Sequence, residues 1–319
     1  MRRALLSSSV LLLLVACNSG GSSSDAAPSV QVSAVNALAI TGIVLDAAMG
    51  VATAGDTSGG ILTTTVEGSG AARSEVNVRG LLARRLADLW TPRVLPVLVN
   101  GSETGPGGGT ATYLWDDRDD NERLSSGDTF EIVFDDYIDE VGTTIAGFVG
   151  IDRLQVAGDP AVHTTWSIAG RMALGNLTVT ANGSTTTLAG SIDCGIERRP
   201  TVAYQRLAVV TPLSTEVTDL LPGSVVEYAE YDAEYTFRIA SVGSVSGAGL
   251  GGVVSYETKT ALGGYIGVPN PSRGVIEVRG RGPAVLTITI VDSVTVQVDI
   301  DLDGDGEVDE TQTTDWTNL

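Results

Sequence analysis

The sequence predicts a mainly β fold: an antiparallel meander curled into a barrel or half-barrel, with N-terminal helices packed on it. Two observations predict this fold. After residue 110, apolar residues recur at every second position in short runs that are separated by turn residues. Before residue 100, apolar residues recur at helical spacing. Because each predicted strand has one apolar and one polar side, we expect a sheet with one buried and one wet face.

Composition indicates a large folded core and narrows the range of partners. The chain has 319 residues, of which 43% are hydrophobic and only 18% are charged. It carries 39 Asp+Glu against 19 Lys+Arg, a formal net charge of -20. Such a surface repels nucleic acid and anionic lipid headgroups and attracts cations. We therefore expect one large domain with an accessory N-terminal region and no nucleic-acid partner.

The N-terminus predicts export. Arg2 and Arg3 precede an apolar run that ends at Ala16, so residues 1–16 are interpreted as a signal peptide. The sequence Leu14-Val15-Ala16-Cys17 resembles the lipobox of bacterial lipoproteins, which implies acylation of Cys17 and a membrane anchor through lipid. An ordinary signal peptide with an incidental cysteine is the alternative. By resemblance to Gram-negative sorting, Asn18 favours the outer membrane and leaves a periplasmic or surface-facing position open.

Residues 17–32 then form a flexible tether, since their first part is rich in Gly and Ser. Residues 33–100 are predicted to be a mainly helical accessory region, with one helix over residues 33–51 and a second over residues 76–90. Residues 101–109 are predicted to be a glycine-rich loop that marks a boundary.

Residues 110–319 are predicted to form the antiparallel β domain. The clearest hairpin joins alternating runs at residues 286–290 and 294–300 through a turn at Asp292-Ser293. Asn182-Gly183 supplies the preferred residues for another tight turn.

The stretch DIDLDGDGEVDE near the C-terminus predicts a calcium loop. Calcium prefers six to eight oxygen ligands, and EF-hand loops supply them at fixed positions with glycine at position six. With Asp301 at position one, Gly306 takes position six, but Gln312 replaces the usual Glu at position twelve. A register that begins at Asp299 places Glu310 at twelve. A solvated acidic turn is the alternative. The predicted ligands are Asp301, Asp303, Asp305 and Asp309.

A second acidic stretch over residues 117–128 has the same spacing, although Glu122 replaces the turn glycine. Its predicted calcium ligands are Asp117, Asp119, Asn121 and Asp128. Both stretches lie between predicted strands rather than between helices, so we expect any calcium to play a structural role.

The sequence does not assemble a recognisable catalytic set. The single histidine, His163, has the polar parity of its strand, which weakens a catalytic triad or a zinc site. Cys194 has the apolar parity and is expected to act as a small hydrophobe. We therefore predict no enzymatic activity. A glycan hydrolase that uses two carboxylates and a carrier of a lipid or other hydrophobic ligand remain as alternatives.

The lipobox, the acidic segment from Trp115 to Phe130 and the terminal D-x-D-G-D-G-x-x-D followed by Trp316 and Leu319 resemble uncharacterised exported lipoproteins of proteobacteria. The resemblance implies an exported β-rich protein and carries over no catalytic residues. The expected function is a lipid-anchored envelope protein whose β domain binds or scaffolds a protein, glycan or lipid partner.

Overall fold

The structure is a computed structural model that describes residues 27–49, 64–66, 74–76, 100–121, 125–139, 142–158, 163–181, 184–214, 218–247, 249–266, 268 and 270–319. Its elements, in chain order, are α1 (Ala37–Met49), β1 (Thr64–Val66), β2 (Ser74–Val76), β3 (Asn100–Thr104), β4 (Gly108–Asp116), β5 (Thr129–Ile138), β6 (Thr144–Ala157), β7 (Trp166–Ala181), β8 (Ser184–Arg199), β9 (Val202–Ser214), β10 (Thr218–Leu220), β11 (Val225–Tyr231), β12 (Thr236–Gly247), β13 (Gly252–Tyr265), β14 (Arg273–Arg279), β15 (Val285–Ile290), β16 (Thr295–Asp301), β17 (Glu310–Asp315) and a 3₁₀ turn (Trp316–Asn318).

Strands β3 to β17 form one antiparallel sheet, and most of them pair with the strand that follows in the chain. The predicted antiparallel meander is therefore confirmed. In the part of the chain that the structure describes, β3 and β17 end the pairing order, so the sheet is an open half-barrel rather than a closed ring. Alternate residues are buried, as on Leu286, Ile288 and Ile290 of β15. The core lies on that face of the sheet.

Helix α1 confirms the first predicted helix and lies inside the curl of the sheet. It contacts both β12 and β16, which are separated by three strands, so the sheet must bend around it. Its sequence ALAITGIVLDAAM is apolar nearly all round, which is typical of a buried helix. Ile40 and Val44 are fully buried, and the buried hydroxyl of Thr41 donates to the carbonyl of Ala37 at 2.8 Å. The helix thus fills the interior of this half of the sheet.

The segment before α1 crosses the ends of several strands. The N–H of Ser29 donates to the carbonyl of Val253 at 2.8 Å, and the N–H of Arg281 donates to the carbonyl of Val30 at 2.6 Å. Further along, Nε2 of Gln312 donates to the carbonyl of Ala34 at 2.9 Å. These bonds join the segment to β13, to β17 and to the turn that follows β14. They fix where α1 enters the curl of the sheet.

A row of β-bulges bends the other half of the sheet. The register shifts at each pairing from β4 to β9. The bulged positions have positive φ: 47° at Asp136, 110° at Gly147, 47° at Asn176 and 135° at Gly190. Because a bulge increases local twist and bends its strand, a row of them across neighbouring strands curls the sheet along one line.

Two sequence predictions about the N-terminal half need correction. The glycine-rich loop predicted over residues 101–109 is a hairpin, in which β3 and the start of β4 flank a short turn. Gly109, at φ 66°, approaches the carbonyl of Asp136 so closely that a Cβ would overlap it, so the glycines serve a bulge rather than a linker. The region predicted as mainly helical contains, besides α1, the strand pair β1 and β2.

The predicted signal peptide, Cys17 and residues 77–90 of the second predicted helix lie outside the described residues.

Candidate functional site

The loop between β16 and β17 brings three carboxylates together. Oxygen atoms of Asp301, Asp303 and Asp309 all lie within 4.8 Å of one another, and this group can hold a metal ion. Asp301 ends β16, and Asp309 lies directly before β17, so the two strands of the hairpin position two of the three groups. None of the three has a Lys or Arg nitrogen within 4.0 Å among the residues that the structure describes. Their mutual repulsion is therefore not offset by a neighbouring cationic side chain.

Local backbone bonds explain why this sequence folds into such a loop. The two oxygens of Asp301 accept the N–H groups of Gly304 at 2.6 Å and Gly306 at 2.9 Å. Both glycines have positive φ, 76° and 90°, which other residues adopt only with strain. Across the loop, Oδ2 of Asp309 accepts the N–H of Leu302 at 2.7 Å. The carboxylates are thus held in place by the backbone before any ion binds.

Two positions of the predicted calcium loop do not join the three convergent carboxylates. Asp305 is not in the convergent group, and its Oδ1 accepts the N–H of Glu307 at 2.8 Å. Gln312, at the twelfth position, bonds to Ala34 instead. The register that begins at Asp299 is not the one that converges, since Asp299 lies within β16 and accepts the hydroxyl of Thr311 at 2.7 Å.

The loop between β4 and β5 holds a second group, formed by Asp117, Asp119 and Asp128. Asp128 is fully buried and accepts the N–H of Ser125 at 2.8 Å and that of Arg118 at 3.2 Å. The amide of Asn121, the fourth predicted ligand, donates to Asp119 at 2.8 Å. This bond orients Asp119 and keeps Asn121 beside the group; as a ligand, Asn121 would use its side-chain oxygen.

The two acidic loops lie at opposite ends of the sheet. Strand β16 runs toward the Asp301 loop, and antiparallel pairing reverses direction at each step of the sheet order. Followed through to β4, this alternation places the Asp117 loop at the other end. The two groups are therefore separate candidate sites and do not form one binuclear centre.

The alternation of apolar and polar residues predicts an inward Cys194 and an outward His163, and the structure agrees with both. Cys194 is partly buried against the core, and its thiol donates to the carbonyl of Gly170 at 3.4 Å. Burial raises the pKa of the Cys194 thiol to about 11, so it stays protonated and unreactive near neutral pH. His163 is exposed.

Sequence reasoning missed a groove on the outer face of the sheet. Glu257 of β13 and Glu277 of β14 face each other across the strands and line a groove of about 290 Å³. Lys259 lies 2.5 Å from Glu257 and 3.6 Å from Glu277, and Arg279 lies 2.7 Å from Glu277. The bond from Glu257 raises the pKa of Lys259 above its usual value. The sequence offered one sign of this groove, because charged residues alternate at Glu257 and Lys259 and again at Glu277 and Arg279. Their pairing could not be predicted, since the register between β13 and β14 contains two bulges.

Such a pair has the arrangement but not the electrostatics of a glycosidase site. Directly opposed cross-strand carboxylates lie near the separation that retaining enzymes use. However, these enzymes keep one carboxyl group protonated by burying it in apolar surroundings. Here neither glutamate is buried in apolar surroundings, and both form ion pairs with Lys259 or Arg279.

In the described part of the chain, no helix has the length and apolarity needed to cross a membrane. No protein-family model matches the chain, and comparison with curated proteins and with solved structures gives no significant match.

Proposed function

We propose that this chain is a lipid-anchored protein of the bacterial outer membrane, in which an antiparallel half-barrel binds or scaffolds a partner outside the cytoplasm without catalysing a reaction. We further propose that calcium stabilises the hairpin of β16 and β17. The anchor rests on the sequence Leu14-Val15-Ala16-Cys17 and on the Gly/Ser-rich segment that follows it. The scaffold role is supported by α1, which packs its buried residues Ile40 and Val44 inside the curl of the sheet.

The convergence of Asp301, Asp303 and Asp309 is the observation that carries the calcium proposal. Calcium accepts carboxylates together with backbone oxygens and water, and it tolerates irregular geometry. Because the group is exposed and held by backbone bonds that form without the ion, we expect weak binding, with Kd on the order of 10⁻⁴ to 10⁻³ M, as in extracellular modules. An ion at this site links the end of β16 to the start of β17 and holds the hairpin closed.

Thermal unfolding with and without calcium tests this proposal. At a calcium concentration about ten times Kd, binding to the folded state should raise Tm by about 2–4 °C. Asp303→Asn should abolish the shift. Asp305→Asn is the matched control, since it removes a carboxylate from the same loop but not from the convergent group, and it should keep most of the shift. The proposal is wrong if calcium leaves Tm unchanged, or if both variants lose the shift equally.

The anchor has its own test, which does not depend on calcium. Cells that express the chain are grown with a labelled fatty acid, and the protein is isolated and counted. We expect label in the natural sequence and none in the Cys17→Ser variant. Equal labelling of the two proteins would contradict the anchor.

A glycan hydrolase is the second candidate, and the opposed pair of Glu257 and Glu277 in the outer groove is the observation that favours it. If the groove is catalytic, the chain should release reducing ends from a polysaccharide, and Glu257→Gln and Glu277→Gln should each abolish that release. We rank this candidate second because both glutamates form ion pairs, with Lys259 and Arg279, and neither is buried in apolar surroundings.

A further inference from the structure

Two arginines on the outer face of the sheet lie on either side of a glycine. Arg238 of β12 pairs with Gly263 of β13, and Gly263 pairs with Arg273 of β14. Residues that pair across strands point to the same face of the sheet, so both guanidinium groups belong to the outer face. The two backbones are two strand spacings apart, roughly 10 Å. No side chain stands between them, because position 263 is glycine.

These arginines differ from their neighbours in having no acidic partner. Arg199 lies 2.6 Å from Glu197, and Arg206 lies 3.5 Å from Glu227. By contrast, Arg238 and Arg273 have no carboxylate within 4.0 Å among the residues that the structure describes. The chain has 39 acidic residues against 19 basic ones, so two adjacent cations without an acid are unusual. Arg153 and Arg281 share this lack, but each lies apart from other such arginines, one at a bulge and one at a turn.

Two tyrosines lie on the same face of the sheet as the pair. The guanidinium carbon of Arg238 lies 5.2 Å from the ring centroid of Tyr231. The side chain of Arg273 crosses over Gly263, where its Nε lies 2.9 Å from the position that a Cβ would take. Tyr265, which pairs with Thr236 at the end of the strands, is 61% exposed. We call this surface, formed by Tyr231, Arg238, Gly263, Tyr265 and Arg273, the Arg–Tyr face.

The face ends along β14 where the outer groove begins. From Arg273 to Arg279 the strand spans roughly 20 Å, and its outward side chains then line the groove with Glu277 and Ser255. Glu257 and Glu277 repel an anion in the groove, so the acidic groups of a partner lie at the arginine end of the strand. Two arginines roughly 10 Å apart on an exposed surface match the repeated carboxylates of a polymer better than one small anion.

We propose that the Arg–Tyr face binds an acidic polysaccharide, with Arg238 and Arg273 holding carboxylates of successive sugars and the tyrosine rings packing against the apolar faces of the sugar rings. A guanidinium fork matches the two oxygens of a carboxylate, and an exposed tyrosine offers an apolar surface with a polar tip. An added peptide strand needs a free sheet edge, whereas β12 and β13 are paired on both sides. This inference names the partner of the binding role proposed above. Its test involves neither the lipid anchor nor calcium, so its failure would leave those two proposals standing.

Binding of polygalacturonate to the full chain, purified in a mild detergent, tests the inference by isothermal titration in a calcium-free buffer. We expect binding that weakens as salt rises from about 0.05 M to about 0.5 M, and none to the fully methyl-esterified polymer, which has the same backbone without the charges. Arg238→Gln combined with Arg273→Gln should weaken binding by about tenfold or more. The control variant, Arg199→Gln with Arg206→Gln, removes the same two charges from paired arginines and should change Kd by less than about threefold.

Two substitutions at Tyr265 measure how much its aromatic ring contributes to binding. Tyr265→Phe keeps the ring and should bind like the natural sequence, whereas Tyr265→Ala should bind several times more weakly. Lack of binding to polygalacturonate, or equal loss in the two double variants, would overturn the proposal. Tighter binding of poly-glutamate that is lost in the same double variant would also overturn it, because the partner would then be an acidic peptide.

Discussion

The indole N–H of Trp115 donates to the buried carboxylate of Asp128 at 3.4 Å, and this bond joins the end of β4 to the end of the loop that follows it. The same carboxylate accepts N–H groups from Arg118 and Ser125 inside the loop. A buried anion surrounded by donors in this way holds its loop together whether or not an ion is present. Asp128 is therefore both a candidate ligand and a structural group.

Asp128→Asn should lower the free energy of unfolding by about 2–4 kcal/mol, because one acceptor oxygen becomes an NH₂ group that faces other donors. Urea denaturation in excess chelator measures the loss in the absence of metal. Asp119→Asn, at an exposed member of the same group, should cost less than about 1 kcal/mol under those conditions. If Asp128 acted only as a metal ligand, the two variants would unfold alike in chelator.

Cys194 should be inert to thiol reagents in the folded protein. Since burial raises its pKa to about 11, alkylation of a Cys17→Ser variant with iodoacetamide at about pH 8 should be slow until urea is added. The folded pKa lies above the ordinary value, so the unfolded chain loses its proton first as pH rises. The free energy of unfolding should therefore fall between about pH 9 and about pH 11, and Cys194→Ala should make this fall shallower. Rapid labelling of the native chain would contradict the burial.

The local features of this fold could be predicted from the sequence, whereas the features that depend on distant pairing could not. The hairpin of β15 and β16 was predicted, because the alternation of apolar and polar residues and the turn at Asp292 all lie within one short segment of the sequence. The hairpin of β3 and β4 was missed, because Gly108 and Gly109 have the composition of a loop although they form a bulge. Spacing predicted Asp301, Asp303 and Asp309. Spacing alone could not exclude Asp305 from the group, because its carboxylate is directed away by one hydrogen bond from the N–H of Glu307.

The hydroxyl of Tyr256 is buried and has no hydrogen-bond partner among the described residues. Burial also raises the pKa of this phenol well above its usual value. Tyr256→Phe should therefore raise the free energy of unfolding by about 1 kcal/mol, since it removes a polar group that lost water without gaining a partner. The matched control is Tyr228→Phe, which removes a bond of 2.6 Å to Glu230 and should cost about 1 kcal/mol. Equal losses in both variants would show that the Tyr256 hydroxyl is satisfied.

Gly147 is the best place to test the row of bulges. At φ 110°, a Cβ there would overlap the carbonyl oxygen of Asn176 and lie 2.9 Å from the Cα of Leu177. Gly147→Ala should cost about 3 kcal/mol or more, from strain and collision together. Gly282 also has positive φ, 96°, but has open space where its Cβ would stand, so Gly282→Ala should cost only about 1 kcal/mol. Similar costs at the two positions would mean that the close approach of β6 and β7 at Asn176 is absent.

Ile40 tests whether α1 is a permanent part of the interior or a plug that a ligand displaces. The side chain is fully buried between the helix and the sheet, so Ile40→Ala should lower the free energy of unfolding by about 2–5 kcal/mol. Val35, just before the helix, is 97% exposed, and Val35→Ala should change stability by less than about 0.5 kcal/mol. A hydrophobic carrier whose helix moves aside would tolerate both changes and would bind an apolar dye more tightly after Ile40→Ala. A large loss of stability without dye binding is the result that a filled half-barrel requires, because the helix is then what the inner face of β12–β16 packs against.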